Sequence, residues 1–90
     1  MTVVRIPPVL RASVGGVKEV PVTGSTVGEA LDALLERHPN LRDQLMTPDG
    51  ELNRFVNVYL DGQDVRYLQA LATPVGETDS LVVLPAMAGG

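Results

Sequence analysis

Ninety residues hold one domain with a single core, because a chain of this size buries only about 60 to 65% of its unfolded surface. With 44% hydrophobic residues but one Phe, two Tyr and no Trp, that core is aliphatic, and the lack of cysteine excludes disulfides, thiolate metal sites and thiol nucleophiles. Eleven acidic against seven basic residues give a formal charge of −4, and Lys18 with six scattered arginines lacks the footprint of a nucleic-acid binder, so the expected partners are proteins with basic docking surfaces.

From Val3 to Leu10 the pattern reads as a strand with Val4, Ile6 and Leu10 on one side, irregular toward its end because Pro7-Pro8 resists regular structure. Gly15-Gly16 is a turn. Val17 to Val22 follows as a second strand, with Val20 and Val22 on one face, and the two strands make a hairpin with a long loop. Thr26 and Glu29 stand at capping-box spacing and start a helix whose apolar stripe is Val27, Ala30, Leu31, Leu34 and Leu35; His38-Pro39 ends it. Asn40 to Met46 reads as a short helical turn capped by Asn40, with Leu41, Leu45 and Met46 inward.

After a turn at Pro48-Asp49-Gly50, Arg54 to Leu60 alternates Val56, Val58 and Leu60 against Phe55, Asn57 and Tyr59. Asp61-Gly62 returns a short extended segment, Asp64 to Arg66, alongside that strand. Tyr67 to Val75 has no clean period, with Leu68, Leu71 and Ala72 under a loop or short helical turn. Gly76 to Asp79 is a turn, and Leu81 to Leu84 is a continuous apolar run, the pattern of a strand covered on both faces; Pro85 ends it. These elements sum to an α+β fold, a sheet with its main helix on one side. No stretch approaches the ~20 apolar residues of a membrane span, and no heptad argues against a monomer.

The chain closes on Ala86-Met87-Ala88-Gly89-Gly90. Two terminal glycines end the chain on a bare, side-chain-free carboxylate, on which a carrier protein could be built, and glycine also fills disordered tails. His38 reads as a helix-end residue rather than a ligand, and Glu29, Asp32 and Glu36 as a solvated helix face rather than an acid–base pair. Phe55 and Tyr59 share one face of a strand, and Val82, Leu84 and Met87 fall near the exit of the tail; they form either an exposed apolar docking patch or a cover for the far side of the sheet.

The order of elements, with Phe55-Val56-Asn57-Val58-Tyr59 in the middle and Leu84-Pro85 leading to the terminal glycines, resembles the ThiS/MoaD family of ubiquitin-like sulfur carriers over essentially the whole chain. Ile6-Pro7, Leu10-Arg11 before Gly15-Gly16, the Arg54 to Tyr59 run and Asp64-Val65-Arg66 are similar to the CysO-type carriers of cysteine synthesis. Gly76-Glu77-Thr78-Asp79 departs from the family, where many members place Gly-Asp directly. The resemblance implies a β-grasp domain over residues 1–85, a mixed sheet with first and last strands parallel neighbours at its centre, and a flexible tail over residues 86–90. It implies that the chain is no enzyme and binds no cofactor or metal. An E1-like adenylating enzyme in the cytoplasm would use ATP and Mg²⁺ to activate Gly90, which then carries sulfur as a thiocarboxylate. A PLP-dependent cysteine synthase or a thiosugar synthase would accept the sulfur, with a metalloprotease to release cysteine. Two readings stand beside this one: a ubiquitin-like modifier joined through Gly90 to target lysines, and an interaction module in which the glycines are incidental.

Overall fold

The computed structural model describes residues 2–85. Its strands are β1 (Thr2–Arg5), β2 (Glu19–Val22), β3 (Val56–Leu60), β4 (Gln63–Asp64) and β5 (Ser80–Pro85), and its α-helices are α1 (Val27–Arg37) and α2 (Arg42–Leu45). They build one five-stranded sheet in the order β2-β1-β5-β3-β4. β1 and β5 run parallel at its middle, with Val4 opposite Leu81, while β3 flanks β5 antiparallel with Val58 opposite Val83. This is the mixed sheet of a β-grasp, with the first and last strands side by side as expected.

The apolar stripe of α1 closes one face of that sheet: Val27, Ala30, Leu31, Leu34 and Leu35 are all buried against Val4, Val20, Val58, Leu81 and Val83. Burying each leucine contributes about 1.5 to 3 kcal/mol relative to leaving it in water. The helix starts where the capping spacing placed it. Thr26 Oγ1 accepts the Glu29 N–H at 3.2 Å, and Glu29 Oε1 accepts the N–H of Ser25 at 2.8 Å, one residue ahead of the cap itself.

Four sequence expectations are corrected. The first strand stops at Arg5: Ile6 still donates to the Lys18 carbonyl at 2.8 Å, but Pro7 and Pro8 have no N–H to extend a ladder, and Pro8–Val14 coils into a 3₁₀ helix that ends at Gly15 with φ +72. Asn40 caps nothing; Pro39 opens a 3₁₀ turn over Pro39–Leu41 that runs directly into α2, although Leu41, Leu45 and Met46 are buried as read. The third strand begins at Val56 rather than Arg54, because Asn53 holds a turn there through its carbonyl to the Val56 N–H (3.0 Å) and its Oδ1 to the Phe55 N–H (2.9 Å). The return segment is extended only at Gln63–Asp64; Asp64 Oδ1 then accepts the Arg66 N–H and turns Val65–Tyr67 into a 3₁₀ helix that buries Val65. In the aperiodic stretch, Leu71 packs on the core, whereas Leu68 and Ala72 are exposed.

The turn at Gly76–Asp79 is built by its aspartate. Asp79 Oδ2 accepts the Gly76 N–H at 2.7 Å, the Gly76 carbonyl accepts from Asp79 N–H and from Thr2 Oγ1, and the Asp79 carbonyl accepts the Val3 N–H. The start of β5 is thereby tied to the start of β1.

Candidate functional site

Side chains alternate across a strand, so the residues that do not face α1 must face away from it. β5 is therefore not covered on both faces, as its apolar run suggested. Leu81 and Val83 are buried, whereas Val82 is half-buried and Leu84 is 42% exposed, because the helices lie on one side of the sheet only. On this open face Tyr59 stands opposite Val82 and Asn57 opposite Leu84, while Arg5 flanks Val82 from β1.

Pro85 is registered with Val56, so Phe55, immediately before β3 and 61% exposed, sits at the end of β5 where the chain leaves the sheet. Tyr59, Val82 and Leu84 are thus gathered on one side of the sheet, with Tyr59 half-buried beside Val82, while Phe55 stands in the turn that precedes β3 at the same end as Pro85. Gly90, the residue expected to carry sulfur, and Ala86, Met87, Ala88 and Gly89, expected with it to enter a partner's active site, lie outside the described residues, which end at Pro85.

Arginine side chains, to which sequence reading gave no role, organise the rim. Arg66 donates through Nη1 to Asn57 Oδ1 at 2.8 Å and through Nη2 to the Asn53 carbonyl at 2.7 Å. The Arg54 guanidinium lies 5.0 Å from the centroid of the Phe55 ring, within cation–π range. Beside Arg54 and Phe55 a hollow of about 520 Å³ opens, floored by Met46 and Leu52 with Asp43 and Glu51 at its margin. The Asp64-Val65-Arg66 triplet quoted for the resemblance was the available signal for Arg66, but its partners are 9 and 13 residues away and emerge only from the fold.

The remaining polar residues behave structurally. The His38 N–H closes α1 on the Leu34 carbonyl, Glu29 serves the helix start, and Asp32 and Glu36 are exposed on α1. Among the described residues no group of His, Cys, Asp and Glu could hold a metal ion, every buried side-chain polar atom has a hydrogen-bond partner, and no helix is long and apolar enough to cross a membrane.

Comparison with known proteins agrees with this architecture. The chain is 42% identical over 89 residues to the sulfur carrier protein CysO of Mycobacterium tuberculosis, covering 97% of this chain and 96% of that protein. It is 37% identical over 82 residues to small archaeal modifier protein 1 of Haloferax volcanii, covering 88% and 90%. A crystal structure of the Amycolatopsis orientalis BexX/CysO complex superposes with a TM-score of 0.91 at 40% identity over the full length of both chains. A model of the ThiS family matches residues 4–90, and on that span the chain belongs to the ThiS family.

Proposed function

We propose that this CysO-like chain is a sulfur carrier and a co-substrate of other enzymes, with Gly90 as the carrying residue. An ionised carboxylate repels nucleophiles and must first be activated. In the proposed sequence a Gly90 carboxylate oxygen attacks the α-phosphorus of ATP on an E1-like enzyme with bound Mg²⁺, and pyrophosphate leaves. Sulfide, or a persulfide that is afterwards reduced, then displaces AMP from the acyl-adenylate and leaves a thiocarboxylate.

The observation that carries this reading is the setting of β5. The central strand ends at Pro85 beside exposed Leu84 and Phe55, so the segment bearing Gly89-Gly90 is rooted next to an apolar pad. Phe55, Tyr59, Val82 and Leu84 would dock on the activating enzyme while residues 86–90, which extend about 17 Å at roughly 3.3 to 3.6 Å each, thread its active site. Ordering that segment costs about 1 to 2 kcal/mol per residue, which contacts made by the pad would offset. The complex of a CysO with BexX shows that a protein of this shape is held by another protein. For the acceptor we favour an activated serine derivative on a PLP-dependent cysteine synthase, with a metalloprotease releasing the product, over a thiosugar synthase; the similarity to the mycobacterial carrier supports a carrier of this kind. The work would be done in the cytoplasm, by a monomer.

Intact-mass spectrometry after incubation with ATP, a sulfide source and the adenylating enzyme tests it. Replacement of one oxygen by sulfur at Gly90 is expected, and an unchanged mass with an active enzyme would reject the reading. The similarity to small archaeal modifier protein 1 favours a second reading, conjugation of Gly90 to target lysines, which predicts high-mass adducts on blots from cells.

A further inference from the structure

The turn that carries Phe55 is built on one residue. Asn53 donates its N–H to the carbonyl of buried Leu45 at 2.8 Å, its own carbonyl accepts the Val56 N–H at 3.0 Å, and its Oδ1 accepts the Phe55 N–H at 2.9 Å. Two backbone donors are thus folded back onto Asn53, and β3 starts only at Val56, opposite Pro85.

Arg66 grips this turn from outside. Its Nη2 donates to the same Asn53 carbonyl at 2.7 Å and its Nη1 to Asn57 Oδ1 at 2.8 Å, so one planar guanidinium spans the residues on either side of Phe55. Asn57 is itself registered with Leu84 of β5. The arginine is grounded in turn: Asp64 Oδ1 accepts its backbone N–H at 2.9 Å, and its neighbour Val65 is fully buried. The turn beside Pro85 is therefore tied to the core at two places, through Leu45 on one side and through Val65 on the other.

Stability does not explain the arrangement. Phe55 is exposed, Arg66 is exposed as well, and neither belongs to the core. At such a surface a hydrogen bond replaces one to water, so its net gain is small, while holding a long arginine chain in one rotamer forfeits entropy. What the grip accomplishes is geometric: an exposed aromatic is kept in one place relative to the point where the chain leaves the sheet.

We infer that Arg66 is a positioning residue for the carrier reaction: acting through Asn53 and Asn57, it presets Phe55 beside Pro85, so that the ring and the segment ending at Gly90 meet the activating enzyme in one fixed relation. This deepens the carrier reading and rests on it for the identity of that enzyme. A turn ordered on folding does not have to be ordered again at docking, which is the gain of preorganisation.

ATP–pyrophosphate exchange by the adenylating enzyme, with the intact chain as variable substrate, tests the role. Arg66→Ala should raise KM about three- to tenfold, the factor that ordering one side chain carries at binding, with kcat within about twofold. Asn57→Ala keeps the arginine charge but removes one end of the grip, and should raise KM in the same direction; an unchanged KM would mean that Arg66 acts by touching the enzyme itself and would overturn the inference. In a Phe55→Ala background Arg66→Ala should add nothing further, because the arginine acts through that ring, whereas fully additive effects would overturn it. Arg37→Ala cuts a comparable bond from α1 to the Pro21 carbonyl (2.8 Å) and should leave KM unchanged; an equal rise there would also overturn it. Thermal unfolding of each variant confirms that it is folded. An arm independent of activation follows amide hydrogen exchange: Arg66→Ala should speed exchange at Phe55 and Val56 about tenfold and leave Val58 and Val83 as in wild type, and unaltered rates at Phe55 and Val56 overturn the grip. A wild-type chain that the enzyme never adenylates would remove the carrier reading alone, and the exchange rates would still decide whether Arg66 holds the turn.

Discussion

Gly24 and Thr26 show how single residues fix the one helix on which the core depends. A Cβ on Gly24 would fall 2.7 Å from the Ala30 backbone nitrogen and 2.9 Å from the Glu29 carbonyl carbon, and neither atom can move without disturbing the first turn of α1. Gly24→Ala should therefore destabilise the domain by roughly 1 to 3 kcal/mol, as overpacking against rigid neighbours does, measured by urea unfolding. Thr26→Ala removes the hydroxyl that accepts the Glu29 N–H and should cost about 1 kcal/mol in the same assay, while Thr26→Ser should retain most of the stability. The cap was readable because it is a contact across three residues. The Arg66 bridge to Asn57 and Asn53 was not, because the backbone must first bring two loops to one strand.

At the scale of elements, α1 and the alternation of β3 were readable from period alone, since each has one wet and one dry face. β5 misled because an all-apolar run carries no alternation; Leu81-Val82-Val83-Leu84 is compatible with burial on both faces, and only the placement of the helices decides. That difference is measurable. Leu81→Ala should lose about 2 to 5 kcal/mol of stability, as truncation of a fully buried leucine does. Leu84→Asp should leave unfolding within about 0.5 kcal/mol of wild type and instead weaken association with the activating enzyme in a binding assay. The first segment misled for a different reason: Val3 to Leu10 keeps strand-like parity through Ile6, but two consecutive residues without N–H groups end the ladder whatever the side chains prefer.

For the whole molecule, the division of labour is by side. One side of the sheet is closed by α1 and supplies stability; the other is left open, with Val82 and Leu84 at its centre, and leads to the segment beyond Pro85. An activating enzyme and a sulfur acceptor that both reach that segment from this side must cover overlapping ground. We expect them to exclude one another: the acceptor enzyme should act as a competitive inhibitor of adenylation when the chain is limiting, and inhibition that adds no slope to the reciprocal plot would contradict a shared face. The open face was half readable from sequence, in that Tyr59, Val82 and Leu84 share it, but Arg5 and Arg66 join it from distant parts of the chain that only the fold brings together.

The parallel pairing of β1 with β5 has a mechanical side. A partner that grips the chain past Pro85 and tugs would load the hydrogen bonds between Val3–Arg5 and Ser80–Val82 lengthwise, so that they resist together rather than unzip one after another. The sheet is thus anchored most firmly along the very direction in which a partner holding the chain past Pro85 would haul it, and force-spectroscopy traces pulled from the two ends should show a single abrupt rupture.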